Sequence, residues 1–159
     1  MHPNAELLTR FYAAFARRDA EAMAACYAPD VAFSDPVFPK LEGVQAGNMW
    51  RMLCAAGKDL RVEASGIEAD DTTGRAHWDA WYTFSATGRS VHNIIDARFE
   101  FANGLIRRHT DTFDLWRWSR LALGPSGLFL GWSPLVQNTI RDRARRGLEK
   151  WTADAAKRT

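Results

Sequence analysis

The sequence predicts an α+β domain in which three N-terminal helices pack on a strongly curved, mostly antiparallel sheet to form a cone-shaped barrel, with an extra helix at the C-terminus. Three observations carry this. Apolar residues recur at helical spacing up to about residue 56. From residue 60 onward the period changes to two and tight-turn signals punctuate it. A Gly/Pro-rich segment, 124–134, then separates the strands from a last helical pattern.

Asn4 is the expected N-cap of the first helix, on which Leu7, Leu8, Phe11, Tyr12 and Phe15 share a face. Asp19 caps a short second helix that must end before Pro29. DVAFSDP reads as a short strand with Val31, Phe33 and Asp35 on one side, stopped by Pro36. The loop VFPKLEG leads to a third helix over 44–56, with Gly57 as its stop. LRVEASGIE, RAHWDAWYTF, SVHNIIDARFEF and LIRRHTDTFDLW read as four strands joined by turns at DDTTG, TGR and NG. Residues 124–134 hold three glycines and two prolines and read as a loop, although LFLGW within it is too apolar to hang free in water. In the final helix Leu135, Ile140, Ala144, Leu148 and Trp151 fall roughly on one side and arginines on the other. Residues 1–120 are read as the domain, and 121–159 as an apolar loop and basic amphipathic helix packing on it or on a dimer partner.

With 159 residues, 47% hydrophobic and 25% charged, the chain has the composition of one globular domain; seven Trp and nine Phe suit either a core or the wall of an apolar pocket. The net charge of +2 is unevenly placed, the residues from Ser133 onward being basic and the body mildly acidic. A basic tail is compatible with membrane or nucleic-acid contact that weakens steeply with salt, and equally with a solvated helix face, which is the expectation here. Cys26 and Cys54 form no disulfide framework or zinc spacing, as expected of a cytoplasmic protein. No apolar run approaches the ~20 residues of a membrane span, and the N-terminus has no signal-peptide pattern, so no stable membrane insertion is expected.

The late strand HTDTFD, 109–114, raises the functional question. Alternation places His109, Asp111 and Phe113 on one face with Leu105, where ionisable groups are costly unless paired or unless the face lines a cavity. His77 and Asp79 on the second strand of the meander, and Asp35 before Pro36, are the other candidate acid/base groups; Asn93, sharing a face with Ile95 and Ala97, is a candidate pocket donor. Trp50, Trp81 and Phe113 read as core or as cavity wall. A buried ion pair fits His109 and Asp111 as well as chemistry does, and Asp35 equally suits a turn. None of these residues has the spacing of a helical metal motif, so no metal and no cofactor are expected.

The order of elements, with FYAAFARRDAEAMAACYAPDVAFSDP at the front and FEFANGLIRRHTDTFD at the back, resembles the nuclear transport factor 2-like superfamily over residues 5–117. That group includes ketosteroid isomerases, SnoaL-like polyketide cyclases and limonene-epoxide hydrolases, and one such scaffold hosts many reactions. The resemblance to ketosteroid isomerases puts Asp35 at the general base, but Phe11 where that family has its tyrosine and Ala97 where it has its protonated aspartate. The resemblance to limonene-epoxide hydrolases matches His77-Trp78-Asp79 to an Arg-x-Asp pair and Asp111 to the second aspartate, while Phe33-Ser34-Asp35 falls on a Tyr-x-Asn pair. The SnoaL-like cyclases imply an aspartate acid/base that Asp111 would supply.

Two carboxylates in one apolar site do not readily both ionise, so one can donate a proton while the other accepts. The resemblance therefore implies a metal-independent enzyme acting on a small apolar oxygenated compound by epoxide hydrolysis, isomerisation or cyclisation. Asp35, Asp79, Asp111, His77 and His109 would be catalytic, and Phe11, Phe33, Trp50, Trp81, Asn93 and Phe113 would line the pocket. A homodimer is expected, and no nucleic-acid partner. The other reading is a non-catalytic domain that binds a hydrophobic ligand or dimerises.

Overall fold

The computed structural model describes residues 1–158. Helices α1 (Pro3–Ala16) and α2 (Ala20–Ala24) precede strand β1 (Tyr27–Ser34), the two-residue β2 (Leu41–Glu42) and helix α3 (Val44–Ala56). Strands β3 (Arg61–Ala69), β4 (Thr73–Phe84), β5 (Arg89–Ala102) and β6 (Leu105–Thr112) follow. Helices α4 (Leu115–Leu123), α5 (Pro125–Leu130) and α6 (Pro134–Arg158) end the chain.

The six strands form one sheet in the order β2-β1-β6-β5-β4-β3. Every neighbouring pair is antiparallel except β1 with β6, which is parallel. Breaks in register in β3, between β5 and β6, and in β1 increase local twist and help curve the sheet. Asn103 (φ 54°) and Gly104 (φ 77°) close the β5–β6 hairpin with two left-handed residues, the backbone a two-residue turn requires.

One face of the sheet is the core face. Along β5, Val91, Asn93, Ile95, Ala97, Phe99 and Phe101 are buried while most of their neighbours are exposed. From β4, Ala76, Trp78 and Ala80 join them. Helices α1 and α3 cover this face with Leu8, Phe11, Phe15, Met49 and Trp50. A smaller cluster of Val91, Leu115, Trp118 and Ala122 joins α4 to the far end of the sheet, with Val37, Tyr82 and Phe113 between the two.

Four local expectations are corrected. His2, not Asn4, caps α1: its ring Nδ1 accepts from the Asn4 N–H at 3.0 Å, and Pro3 opens the helix without an amide to satisfy. Asn4 instead donates its side-chain amide to the Asp70 carbonyl at 2.9 Å. Strand β1 begins at Tyr27 rather than at Asp30, so Pro29, before which α2 ends as expected, lies inside it. There β2 pairs only with Ala32 and Phe33, so the missing N–H removes no bond to that neighbour. Beyond Thr112 the chain turns helical, because Asp114 accepts from the Arg117 N–H and caps α4. Finally, residues 124–134 contain helix α5, where a loop was expected.

Candidate functional site

Strand β6 delivers His109 and Asp111 to the core face, where both are buried. They belong to a chain of side-chain hydrogen bonds running through the core. The Trp50 indole N–H donates to the Tyr27 hydroxyl at 2.7 Å, and that hydroxyl lies 2.8 Å from His109 Nδ1. His109 Nε2 is 2.8 Å from Asp111 Oδ1, which also receives the Trp78 indole N–H at 3.4 Å. One proton arrangement gives every donor an acceptor. Tyr27 donates to Nδ1, and the Nε2–H of a neutral imidazole donates to Asp111. Burial, opposed by the Trp50 bond, holds the Tyr27 phenol well above its ordinary pKa.

Aromatic rings surround the imidazole. Phe99 lies 4.4 Å from it between centroids, Phe33 meets it edge-on at 5.0 Å, and Trp50 stacks on it at 6.1 Å. Phe11 is edge-on at 5.6 Å. Phe11, Phe33 and Trp50 thus form the deep, fully buried layer of the cone around His109. Phe113 is half-buried and packs against both apolar clusters, nearer α4.

Asp35, just past β1, is held differently. Its Oδ1 accepts from the backbone N–H groups of Val37 (2.7 Å) and Phe38 (2.6 Å), while no group among the described residues bonds Oδ2. Burial outweighs those two bonds and, with the nearby charge of Asp111, pushes the carboxyl up to about 7. Tyr82 is close enough for Asp35 to help burial raise its phenol, and its oxygen accepts the Trp118 indole N–H at 2.7 Å.

Two more polar groups of the core face are unpaired among the described residues. The buried Tyr12 hydroxyl has no hydrogen-bond partner, and burial followed by the charge of Asp111 raises its pKa well above the ordinary value. Asn93 is buried between Val91 and Ile95 with no side-chain hydrogen bond.

His77, Asp79 and Trp81 do not join this site. Pairing of Asp79 with Ile94 and Glu63, and of His77 with Asp96, puts them on the outer face, whereas Asp111 aligns with Ala97 and Ala76 on the inner one. The physical reason is strand parity: Ala76, Trp78 and Ala80 take the core side, so the residues between them face out. There Asp79 accepts from His92 Nε2 (2.7 Å) and His77 Nε2 (2.9 Å), and His77 Nδ1 reaches Asp96 at 2.9 Å. The His92 bond, then that from His77, holds the Asp79 carboxyl below its usual range despite desolvation. The Asp96 bond, against a burial penalty and with help from Asp79, raises His77. Trp81 stacks on His92 at 4.6 Å and carries the Arg61 guanidinium 4.2 Å above its ring.

Sequence reasoning missed Tyr12, Tyr27, Trp78 and Tyr82. Trp78 and Tyr82 could have been found from the β4 alternation. Tyr27 was hidden by Pro29, and nothing local marked the Tyr12 hydroxyl as unpaired.

A helix-covered, curved six-stranded sheet with ionisable groups on its concave face defines the nuclear transport factor 2-like class of α+β folds. Within that class the chain belongs to the SnoaL-like domain family, whose profile matches residues 8–109. A candidate polyketide cyclase from Xanthomonas campestris pv. campestris is 25% identical, over 75% of this chain and 96% of that one, with a TM-score of 0.63. A nuclear transport factor 2-like protein of unknown function from Burkholderia pseudomallei superposes with a TM-score of 0.66 at 22% identity, over 76% of this chain and 98% of that one. An epoxide hydrolase of the limonene-epoxide hydrolase-like type from Mycobacterium tuberculosis does so with a TM-score of 0.60 at 19% identity, over 84% and 95%. Among curated proteins no match was found.

Proposed function

We propose that this protein is an acid/base enzyme that moves a proton on a small apolar oxygenated compound, in an isomerisation or cyclisation, with Asp35 as the group that takes and returns the proton. The observation that carries the reading is the Asp35 carboxyl. It is fixed through Oδ1, free at Oδ2, and poised at about 7, where a carboxyl can both accept and give a proton near neutral pH. The unpaired Tyr12 hydroxyl supplies a donor for a ligand oxygen, since buried polar groups are rarely left without a partner, and the Asn93 amide on the same face offers a second. Asp111, anchored by His109 and Trp78, contributes fixed negative charge that keeps Asp35 protonated to higher pH.

Isomerisation or cyclisation is favoured over epoxide hydrolysis because the two-acid pattern of the latter needs Asp79, which lies on the outer face. The test is turnover of α-acidic carbonyl compounds, such as small polyketide-like or cyclic ketones, by the wild type and by Asp35→Asn. We expect a rate that rises with pH through about 7 as Asp35 ionises, and a loss of roughly 10²–10⁴-fold in the variant. Ligand binding that survives Asp35→Asn, with no turnover by either protein, would favour the hydrophobic-ligand-binding reading instead.

A further inference from the structure

Helices α4 and α5 form a hairpin whose packing is inverted. An α5 of ordinary amphipathicity would turn its large apolar side chains toward the protein. Instead it lies on α4 through glycines: a Cβ on Gly127 would come within 2.0 Å of the Ser119 carbonyl oxygen, and one on Gly131 within 1.9 Å of Ser119 Oγ. Ser119 is fully buried by this contact. The large residues face water: Leu128, Phe129 (69% exposed), Leu130, Trp132 (62%) and Leu135, with Trp116 beside them on α4. Two indoles turn their polar edges inward. Trp116 donates to the Leu128 carbonyl at 3.3 Å and Trp132 to the Phe129 carbonyl at 2.9 Å, leaving their rings as hydrocarbon surface.

The charges around this tip are arranged to match. Residues 121–140 contain no charged side chain, and Arg120 and Arg141 bracket them. Arg89, Arg117, Arg120 and Arg141, on or against α4 and α6, form no ion pair with a carboxylate among the described residues. Arg120 lies 4.6 Å over the Trp116 ring, and Arg89 donates to the Leu121 carbonyl at 2.9 Å. Arg117 donates to the His92 carbonyl, and Arg141 to the Pro36 carbonyl and to Asn138 Oδ1, so these side chains are held in place while no carboxylate neutralises their charge. An uncharged Leu/Phe/Trp tip flanked by cations that no carboxylate neutralises is the pattern of a surface that lies in a lipid interface, its side chains among acyl chains and its cations near anionic headgroups. No described helix is long and apolar enough to cross a membrane, so the contact is peripheral.

We propose that the α4–α5 hairpin docks this protein on the surface of an anionic phospholipid bilayer, Phe129 and Trp132 entering the interface and the surrounding arginines meeting lipid phosphates.

The test is co-sedimentation of the full chain with phosphatidylcholine vesicles with and without phosphatidylglycerol, at low and high salt. Binding should require the anionic lipid and fall as salt rises. Phe129→Asp should weaken it by roughly tenfold or more, because one buried aromatic side chain is replaced by a charge. Phe129 is exposed, and circular dichroism checks that the variant is folded. Independently of any variant, brominated lipid should quench wild-type tryptophan emission, and Trp132→Phe should lose much of that quenching. Absence of binding overturns the proposal, as does binding indifferent to Phe129→Asp. Self-association that Phe129→Asp abolishes, with no vesicle binding, would overturn it in favour of a protein interface.

Discussion

Asp35 and Asp111 are both carboxylates of the inner face, and their surroundings set them different tasks. Asp111 is tied to His109 and Trp78 in a core where each lost partner strands a buried group, at a cost of about 1–3 kcal/mol. Asp35 keeps one oxygen free and is pushed up to about 7. An acid whose folded pKa lies above its usual value of 3.8 costs stability as pH rises. The unfolded chain releases its proton near 4 and the folded chain only near 7, so the cost accumulates across that window and is constant above it. Asp35→Asn should therefore flatten the fall in stability between about pH 4 and 7 relative to wild type. The gain at pH 8 should be on the order of a few kcal/mol, since each pKa unit is worth ~1.4 kcal/mol. Chemical denaturation at several pH values checks this. At this scale the sequence was half legible. Alternation alone put His109 and Asp111 on the core face, but which partners satisfied them was not readable, because Tyr27 and Trp50 come from elements 82 and 59 residues away from His109.

At the scale of elements, β4 carries the main correction. HWDAW offered a histidine and a carboxylate two residues apart, and the family resemblance drew them into the site; the alternation with Ala76, Trp78 and Ala80 already pointed them outward. Asp79→Asn should accordingly leave turnover within a few-fold of wild type, while Asp111→Asn should lower both activity and stability. Steady-state kinetics on the two variants separates the faces of the sheet. The outer cluster has its own pH signature. His77 has a raised folded pKa, so its contribution is fully present below the ordinary histidine value of 6.5 and disappears as pH rises through the raised one. Thermal melts of His77→Ala against wild type should converge at alkaline pH. The α4–α5 hairpin was the least legible element. Glycines and prolines at 124–134 read as loop chemistry, yet here Gly127 and Gly131 permit a close helix contact, a tertiary role that local propensity does not register. Gly131→Ala should push α5 off Ser119 and cost roughly 1–3 kcal/mol in a denaturant titration.

For the whole molecule, the change of period near residue 60 and the NG, TGR and DDTTG turns were enough to give the four-stranded meander, while β2, inside the expected loop VFPKLEG, and the register breaks that help curve the sheet were not legible. What they could not give was how full the cone is. The seven Trp and nine Phe were compatible with a wall or a core. Phe11, Phe33, Trp50 and Phe99 close around His109, so the deep half is packed, and on the core face Tyr12, Asn93 and Asp35 keep unmet hydrogen-bonding capacity among the described residues. Helix α6 reaches back along the chain to bury Leu148 in the same core, and Arg141 donates to the Pro36 carbonyl at 2.8 Å, which braces the turn that presents Asp35. On the function proposed above, this fold holds the Asp35 carboxyl at a neutral titration point. Carbon-detected NMR of the side-chain carboxyl of Asp35, followed from pH 3 to 9 in wild type and in Asp111→Asn, tests it directly. A midpoint near 7 that moves down when the charge of Asp111 is removed is expected. A midpoint near 4 in the wild type, unmoved by the Asp111 substitution, would contradict it.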